Sequence, residues 1–182
     1  MILEFTSLSE YLKELAAAPD LAVIGITDYA KEFVIGRAAV ERQLARGTLE
    51  GVRINRSLYV KASSAQAKIA ARDEQIQKAE TVIINAAKSQ RNIAYSEVMS
   101  HLGLNYKMSN DRNRMGVILG LLSALYYDEW EVVISSIVVK KGTDVPSDGF
   151  YGFLKSHGIE VDDEDTFHEE AQKRVWRFFK NK

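Results

Sequence analysis

Basic side chains recur through residues 27–61 with types and spacing suited to binding a polyanion. This segment holds seven lysines and arginines against four acidic residues, a local charge of +3 in a chain whose net charge is −1. Such groups bind phosphates, and an arginine can also recognise a guanine through two hydrogen bonds. The spacing predicts DNA contacts from one helix and from a hairpin after it. The candidates are Arg37, Ala38, Glu41, Arg42 and Arg46 on the helix, and Arg53, Arg56 and Lys61 on the hairpin.

A second polar and basic run covers residues 105–114. Lys107, Arg112 and Arg114 precede and open a predicted helix, whose N-terminus would help them bind phosphate. The same run is equally well explained as a solvated loop, with Asn110 or Asp111 capping the helix. We therefore keep both interpretations for these three cations.

Acidic residues in the second half of the chain suggest a metal-dependent nuclease as an alternative function. A magnesium site would need them to converge, with Lys140 or Lys141 nearby. The usual order of catalytic acids and lysine along a strand is absent, and the chain has no Walker A, G-x-S-x-G or H-E-x-x-H motif. We expect no catalytic residue, metal or cofactor. The acids concerned are Glu97, Asp144, Asp148 and Asp162.

Two short helices are predicted to carry the first basic group. Thr27 is a suitable N-cap for a helix over 28–33, and the Val34-Ile35-Gly36 stretch should end it. A second helix is expected from Arg37 to Ala45, with Gly47 as a left-handed stop. Small and apolar residues should pack between these helices. They are Ala30, Phe33, Val40 and Leu44.

A hairpin is predicted directly after the second helix. Residues 52–54 and 58–60 alternate apolar and polar side chains around the polar turn 55–57. Two helices, a tight turn and a hairpin are typical of a winged helix-turn-helix, in which the second helix enters the major groove of DNA.

The same segment resembles the helix-turn-helix of excisionases and MerR-type regulators, over about 36 residues. The resemblance implies sequence-specific DNA binding and, as in MerR-type proteins, pairing of two copies through a long helix. The matching residues are Thr27, Ala30, Gly36, Val40, Arg46, Gly47, Val52, Arg53 and Tyr59.

Two further helices flank this module. A first helix over 8–18 should bury a stripe of Leu8, Tyr11, Leu12 and Leu15. Residues 62–90 lack glycine and proline and predict one long helix. Ile69, Ile76 and Ile83 recur every seven residues there, which favours a homodimer seam, with packing on the chain's own C-terminal module as the alternative.

The C-terminal half is predicted to hold helices, one buried strand and a polar loop. A helix over 112–127 should present one continuous apolar face, and the β-branched run 131–139 should be a strand. The loop 140–149 and the following GFYGF sequence resemble an uncharacterised bacterial and phage domain. The predicted face contains Val117, Ile118, Leu121, Leu122 and Leu125.

Composition limits the remaining choices. The chain has no cysteine, no signal-like N-terminus and no long apolar run, so we expect a cytoplasmic protein without a membrane partner. The fold class is mainly α with small β wings, as two winged-helix-like modules (1–63 and 91–182) joined by a linker helix (64–90). We expect a regulator or architectural factor of bacterial or phage type that binds double-stranded DNA as a homodimer. Residues 116–182 carry eight basic and twelve acidic side chains, so an adaptor or inhibitor that binds a protein there is a second alternative.

Overall fold

The computed structural model describes residues 1–180, apart from the side chain of Asp148. Its described part is mainly helical, with a small mixed sheet and one further pair of short strands. The chain divides into two compact units, Met1–Arg72 and Asp73–Lys182, which we call unit 1 and unit 2. Among the described residues, no helix combines the length and the apolar character needed to cross a membrane.

Unit 1 is built on a four-stranded sheet in the order β1-β3-β4-β2. Strands β3 and β4 form an antiparallel hairpin, β2 pairs antiparallel with β4, and β1 pairs in parallel with β3. The elements are β1 Ile2–Phe5, α1 Leu8–Ala17, a 3-10 turn Pro19–Leu21, β2 Val23–Gly25, α2 Ile26–Glu32, α3 Arg37–Ala45, β3 Gly51–Ile54, β4 Ser57–Lys61 and the start of α4 Ala62–Lys88.

Helix α1 begins directly after Ser7, which caps it. The Ser7 hydroxyl accepts a hydrogen bond from the Glu10 backbone N–H at 3.1 Å, and Glu10 in turn accepts one from the Thr6 N–H at 2.8 Å. The predicted apolar stripe is wrong in part, because Leu8 and Leu12 are 56% and 51% exposed. Only Tyr11 is fully buried, where its hydroxyl donates to the Leu21 carbonyl at 3.1 Å.

Helices α2 and α3 pack as predicted, although α2 starts earlier than expected. Ala30, Val40 and Leu44 are buried in one core, and Phe33 packs against it. Thr27 is not the N-cap, because α2 begins at Ile26, directly after Gly25. The Ile26 side chain, which opens α2, is buried in this core. The bounds of α3 match the prediction, and Gly47 has the expected positive φ of 69°.

Unit 2 is a helical unit with one two-stranded parallel pair, β5 with β6. Its main core gathers apolar side chains from α4, α5, α6 and α8. The elements after α4 are β5 Ile93–Ala94, α5 Tyr95–His101, α6 Ser109–Trp130, a 3-10 helix Ile134–Ile137, β6 Val138–Val139, α7 Asp148–Ser156 and α8 Glu164–Lys180.

The predicted strand over 131–139 is largely wrong. Glu131 ends α6 in a left-handed conformation with φ of 53°, and a 3-10 helix follows. Only Val138–Val139 is a strand. Ile134 and Ile137 are both fully buried, so the β-branched run reflects burial rather than extended backbone.

The predicted cap of α6 is also wrong. This helix begins at Ser109, which places Asn110 and Asp111 inside its first turn. The Asp111 carboxylate instead accepts a hydrogen bond from the Asn105 backbone N–H at 2.8 Å. It therefore stabilises the loop before the helix.

Two predicted apolar surfaces are rearranged in unit 2. Ile83 on α4 is fully buried in the unit's own core, and Ile76 packs against the same core. Ile83 is therefore not available to a dimer seam, whereas Ile76 and Ile69 are half-buried. The predicted continuous face of α6 is split. Ile118 and Leu122 are buried, whereas Val117, Leu121 and Leu125 are exposed.

Candidate nucleic-acid interface

The turn between α2 and α3 is held by backbone hydrogen bonds. The Ile35 N–H donates to the Ala30 carbonyl at 2.9 Å and the Val34 N–H to the Lys31 carbonyl at 3.1 Å. Val34 adopts a left-handed conformation with φ of 52°, although valine disfavours it. This arrangement is a Schellman-type helix end, which fixes the direction in which α3 leaves the turn. The sequence does not indicate this helix end, because Gly36 is a more usual helix breaker than Val34.

Close packing against the hairpin fixes α3 on its other side. Gly51 opens β3, where a Cβ atom would lie 2.7 Å from the Leu44 side chain and 2.8 Å from the Tyr59 carbonyl oxygen. The Tyr59 carbonyl is backbone and cannot give way, so the hairpin requires glycine here, and the Leu44 side chain of α3 packs into the space that a Cβ would fill. Val40 and Leu44 point inward from α3, and the opposite face of the helix is therefore left to solvent.

The exposed face of α3 carries three of the predicted arginines and one acid. Arg37 and Glu41 form an ion pair with Nε and Oε1 2.9 Å apart, and their side chains are 67% and 46% exposed. Arg42 and Arg46 are exposed and have no ion-pair partner among the described residues. Ala38 is exposed beside Arg37. This face therefore has two available cations and one that Glu41 holds.

The hairpin brings fewer free cations to the surface than predicted. Arg56 lies in the two-residue turn, is exposed, and has no ion-pair partner in the described part of the chain. Arg53 Nε lies 3.2 Å from the Glu4 carboxylate. Lys61 is only 13% exposed and lies between the carboxylates of Asp20 and Glu50, at 3.2 and 3.6 Å. We therefore leave Lys61 out of the interface.

The cations of unit 2 divide between a structured loop and the surface. Arg112 Nη1 donates to the Tyr106 carbonyl, and the Tyr95 hydroxyl donates to the Arg112 carbonyl, both at 2.9 Å. Burial raises the pKa of Tyr95 to about 12, against the opposing positive charge of Arg112. Lys107 and Arg114 are exposed. Arg112 therefore stabilises the loop, whereas the other two cations are accessible.

The acids of the nuclease alternative are occupied elsewhere or scattered. Glu97 pairs with Arg91 at 3.7 Å, and Asp144 accepts a hydrogen bond from the Asn92 amide at 2.9 Å. The side chain of Asp148 lies outside the described part of the structure, and Asp162 is exposed. Among the side chains that the structure describes, no group of three or more His, Cys, Asp or Glu residues lies close enough together to hold a metal ion.

The histidines are used individually. His168 is buried, and its Nε2 donates to the Ser136 carbonyl at 2.7 Å. His101 and His157 are exposed, and His157 packs on the Phe153 ring at a centroid distance of 4.0 Å. The His168 contact joins α8 to the 3-10 helix, whereas the His157 contact is local.

The chain matches no protein-family model, no curated protein and no solved structure. Assignment of a function therefore depends on the geometry of unit 1 and on the chemistry of its exposed side chains.

Proposed function

We propose that unit 1 is a winged helix-turn-helix module that binds double-stranded DNA, with α3 in the major groove and the β3–β4 turn against the phosphate backbone. The order helix, strand, two helices and hairpin supports this proposal, as does the pairing of β2 with β4. We further propose that the protein is a sequence-specific regulator or an architectural factor of DNA.

The observation that carries the proposal is the arginine-rich, solvent-exposed face of α3. Val40 and Leu44 fix the opposite face in the core, so the orientation of this helix is determined. Arg42 and Arg46 are uncommitted, and such guanidinium groups bind phosphates or guanine edges. A surface of this kind suits a polyanion better than an apolar partner.

Residues at the start of α3 are assigned to base recognition. Helices of this class contact base edges with their N-terminal residues. Arg37 occupies the first position of α3, and Ala38 beside it is small enough to allow close approach to a thymine methyl group. Arg56 on the hairpin turn then contacts a phosphate.

Binding to a random duplex pool, followed by sequencing of the bound fraction, tests the proposal and supplies a target duplex. On that target we expect Arg37→Ala to weaken binding by about 1–3 kcal/mol, because Arg37 is the arginine assigned to base recognition. Arg56→Ala should weaken all duplexes similarly and reduce the salt slope by about one. Lys13→Ala is the matched control, because Lys13 is an exposed cation on α1, away from α3 in sequence and element.

Two results would contradict the proposal, one for the role of α3 and one for DNA binding as a whole. Equal affinity of wild type, Arg37→Ala and Lys13→Ala would remove α3 from the interface. Failure to retain any duplex at low salt, where phosphate contacts are strongest, would refute DNA binding by this protein.

A further inference from the structure

Helix α6 presents an apolar stripe to solvent. Val117, Leu121 and Leu125 are 36%, 44% and 54% exposed, although all three are large apolar side chains. They lie four residues apart, so they stand one above the other on one face of the helix. The opposite face of α6 is buried, which means that this stripe is not needed for the core of unit 2.

The two ends of the stripe carry opposite charges. Arg114 precedes Val117 by three residues, and Asp128 follows Leu125 by three residues, so both continue the same face. Both are exposed, and neither has an ion-pair partner among the described residues. Along α6 the surface therefore runs from a cation through three apolar side chains to an anion.

This arrangement is complementary to itself when a second helix runs in the opposite direction. Leu121 lies midway between Arg114 and Asp128, and also midway between Val117 and Leu125. A two-fold axis at Leu121 would therefore place each cation opposite an anion and each apolar residue opposite another. A parallel arrangement would place like charges together, which is unfavourable.

We propose that α6 forms an antiparallel homodimer interface, with Leu121 of both copies at the two-fold axis and Arg114 facing Asp128 of the partner subunit. The interface is isologous, as most dimer interfaces are, because the same residues serve on both sides. The assignment moves the homodimer from α4, where Ile83 is buried, to α6. It also gives Arg114 a role other than binding phosphate.

Two glycines on the flank of the stripe agree with close approach of a second helix. Gly116 and Gly120 lie inside α6, where glycine costs about 1 kcal/mol relative to alanine. A Cβ atom at either position would meet nothing within 4 Å, so packing within the chain does not require glycine there. A neighbouring helix backbone would occupy this open space.

Disulfide cross-linking tests the register, because the chain has no cysteine of its own. The L121C variant should cross-link to itself under mild oxidation. V117C should not, since two copies of that position would lie about 12 Å apart along the helix axes, whereas a disulfide requires Cα atoms within about 7 Å. A mixture of V117C and L125C should cross-link. V145C, at an exposed valine in a loop of unit 2, controls for random oxidation.

Charge exchange tests the pairing of Arg114 with Asp128. We expect Arg114→Asp and Asp128→Arg each to weaken the dimer roughly tenfold, because two symmetric pairs change from attraction to repulsion. The double variant should recover most of the affinity, and a mixture of the two single variants should form heterodimers. A role of Arg114 in binding DNA would produce neither recovery nor heterodimers.

Light scattering and sedimentation without DNA decide the oligomeric state of the full chain, so the result is independent of the proposed DNA binding. We expect a dimer that Leu121→Asp dissociates and Val145→Asp does not. A wild-type monomer at high micromolar concentration would overturn the proposal. So would cross-linking of V117C to itself as efficiently as L121C.

Discussion

Replacing Glu41 by alanine should strengthen DNA binding, although it removes a side chain from the proposed interface. In the free protein the Glu41 carboxylate holds Arg37 at 2.9 Å, at the first position of α3. Arg37 must share or leave this pair to bind a guanine or a phosphate. Glu41 itself would approach the negatively charged DNA, so its removal relieves two unfavourable contributions to binding.

The size of the effect follows from the exposure of the pair. Arg37 and Glu41 are 67% and 46% exposed, so the pair contributes only about 0.3–0.5 kcal/mol. A carboxylate about 8 Å from one phosphate adds roughly 0.5 kcal/mol of repulsion in water, and physiological salt screens part of it. Together these give about 0.5–1 kcal/mol, or roughly two- to fivefold tighter binding.

Fluorescence anisotropy with a labelled duplex, repeated over a range of salt, measures this change. Glu14→Ala is the matched control, because Glu14 is an exposed acid on α1 and its loss changes the net charge equally. Alanine also favours helix at position 41, so α3 should keep its stability. Weaker binding by Glu41→Ala, or the same gain in both variants, would contradict the placement of α3 against DNA.

Three other predictions concern stability. Ile83→Ala should destabilise unit 2 by about 2–5 kcal/mol, because Ile83 is fully buried. Tryptophan fluorescence can follow the unfolding of unit 2, since both tryptophans lie in it. An unchanged denaturation midpoint would contradict the burial of Ile83. Gly51→Ala should destabilise unit 1 by about 1–3 kcal/mol and speed hydrogen exchange in the hairpin, whereas Gly152→Ala, in open space on α7, should stabilise its helix. With its pKa raised to about 12, Tyr95 keeps its proton in the folded state while the unfolded chain loses it near pH 10, so its stabilising contribution is full below pH 10 and is lost towards pH 12. The free energy of unfolding, measured with denaturant, should therefore fall less steeply between pH 10 and pH 12 in Tyr95→Phe than in the wild type. Equal slopes of this free energy against pH would contradict the prediction.

Local sequence signals were sufficient for α3 of unit 1, because turn and cap residues act over a few positions. The bounds of α3 agree with the prediction, and the left-handed Gly47 supplies the expected stop. Burial was harder to predict, since the type of an apolar residue does not specify which other residues it packs against. The pattern therefore places Leu8 and Leu12 in the core and Ile83 in a seam, whereas the leucines are exposed and Ile83 is buried.

The candidate site was predicted only at the level of residue types. Position along α3 follows from helical periodicity, which is why the exposed arginines were found. The partners of Arg53 and Lys61 could not be predicted, because Glu4 and Asp20 are distant in sequence and meet them only through the sheet. The left-handed Val34 gave no signal, since its conformation is imposed by the surrounding hydrogen bonds.

The parallel pairing of β1 with β3 has a consequence for the order in which unit 1 folds. Ile2 is paired with Gly51, and Phe5 with Ile54, so this contact closes a loop of about two thirds of the unit. The α2–α3 pair and the β3–β4 hairpin need only local contacts, which form early. Closure of the longer loop costs more entropy. On the ribosome β1 is synthesised before its partner β3, so β1 stays unpaired until β3 has emerged. The β3 edge of the hairpin is therefore covered last, when β1 pairs with it.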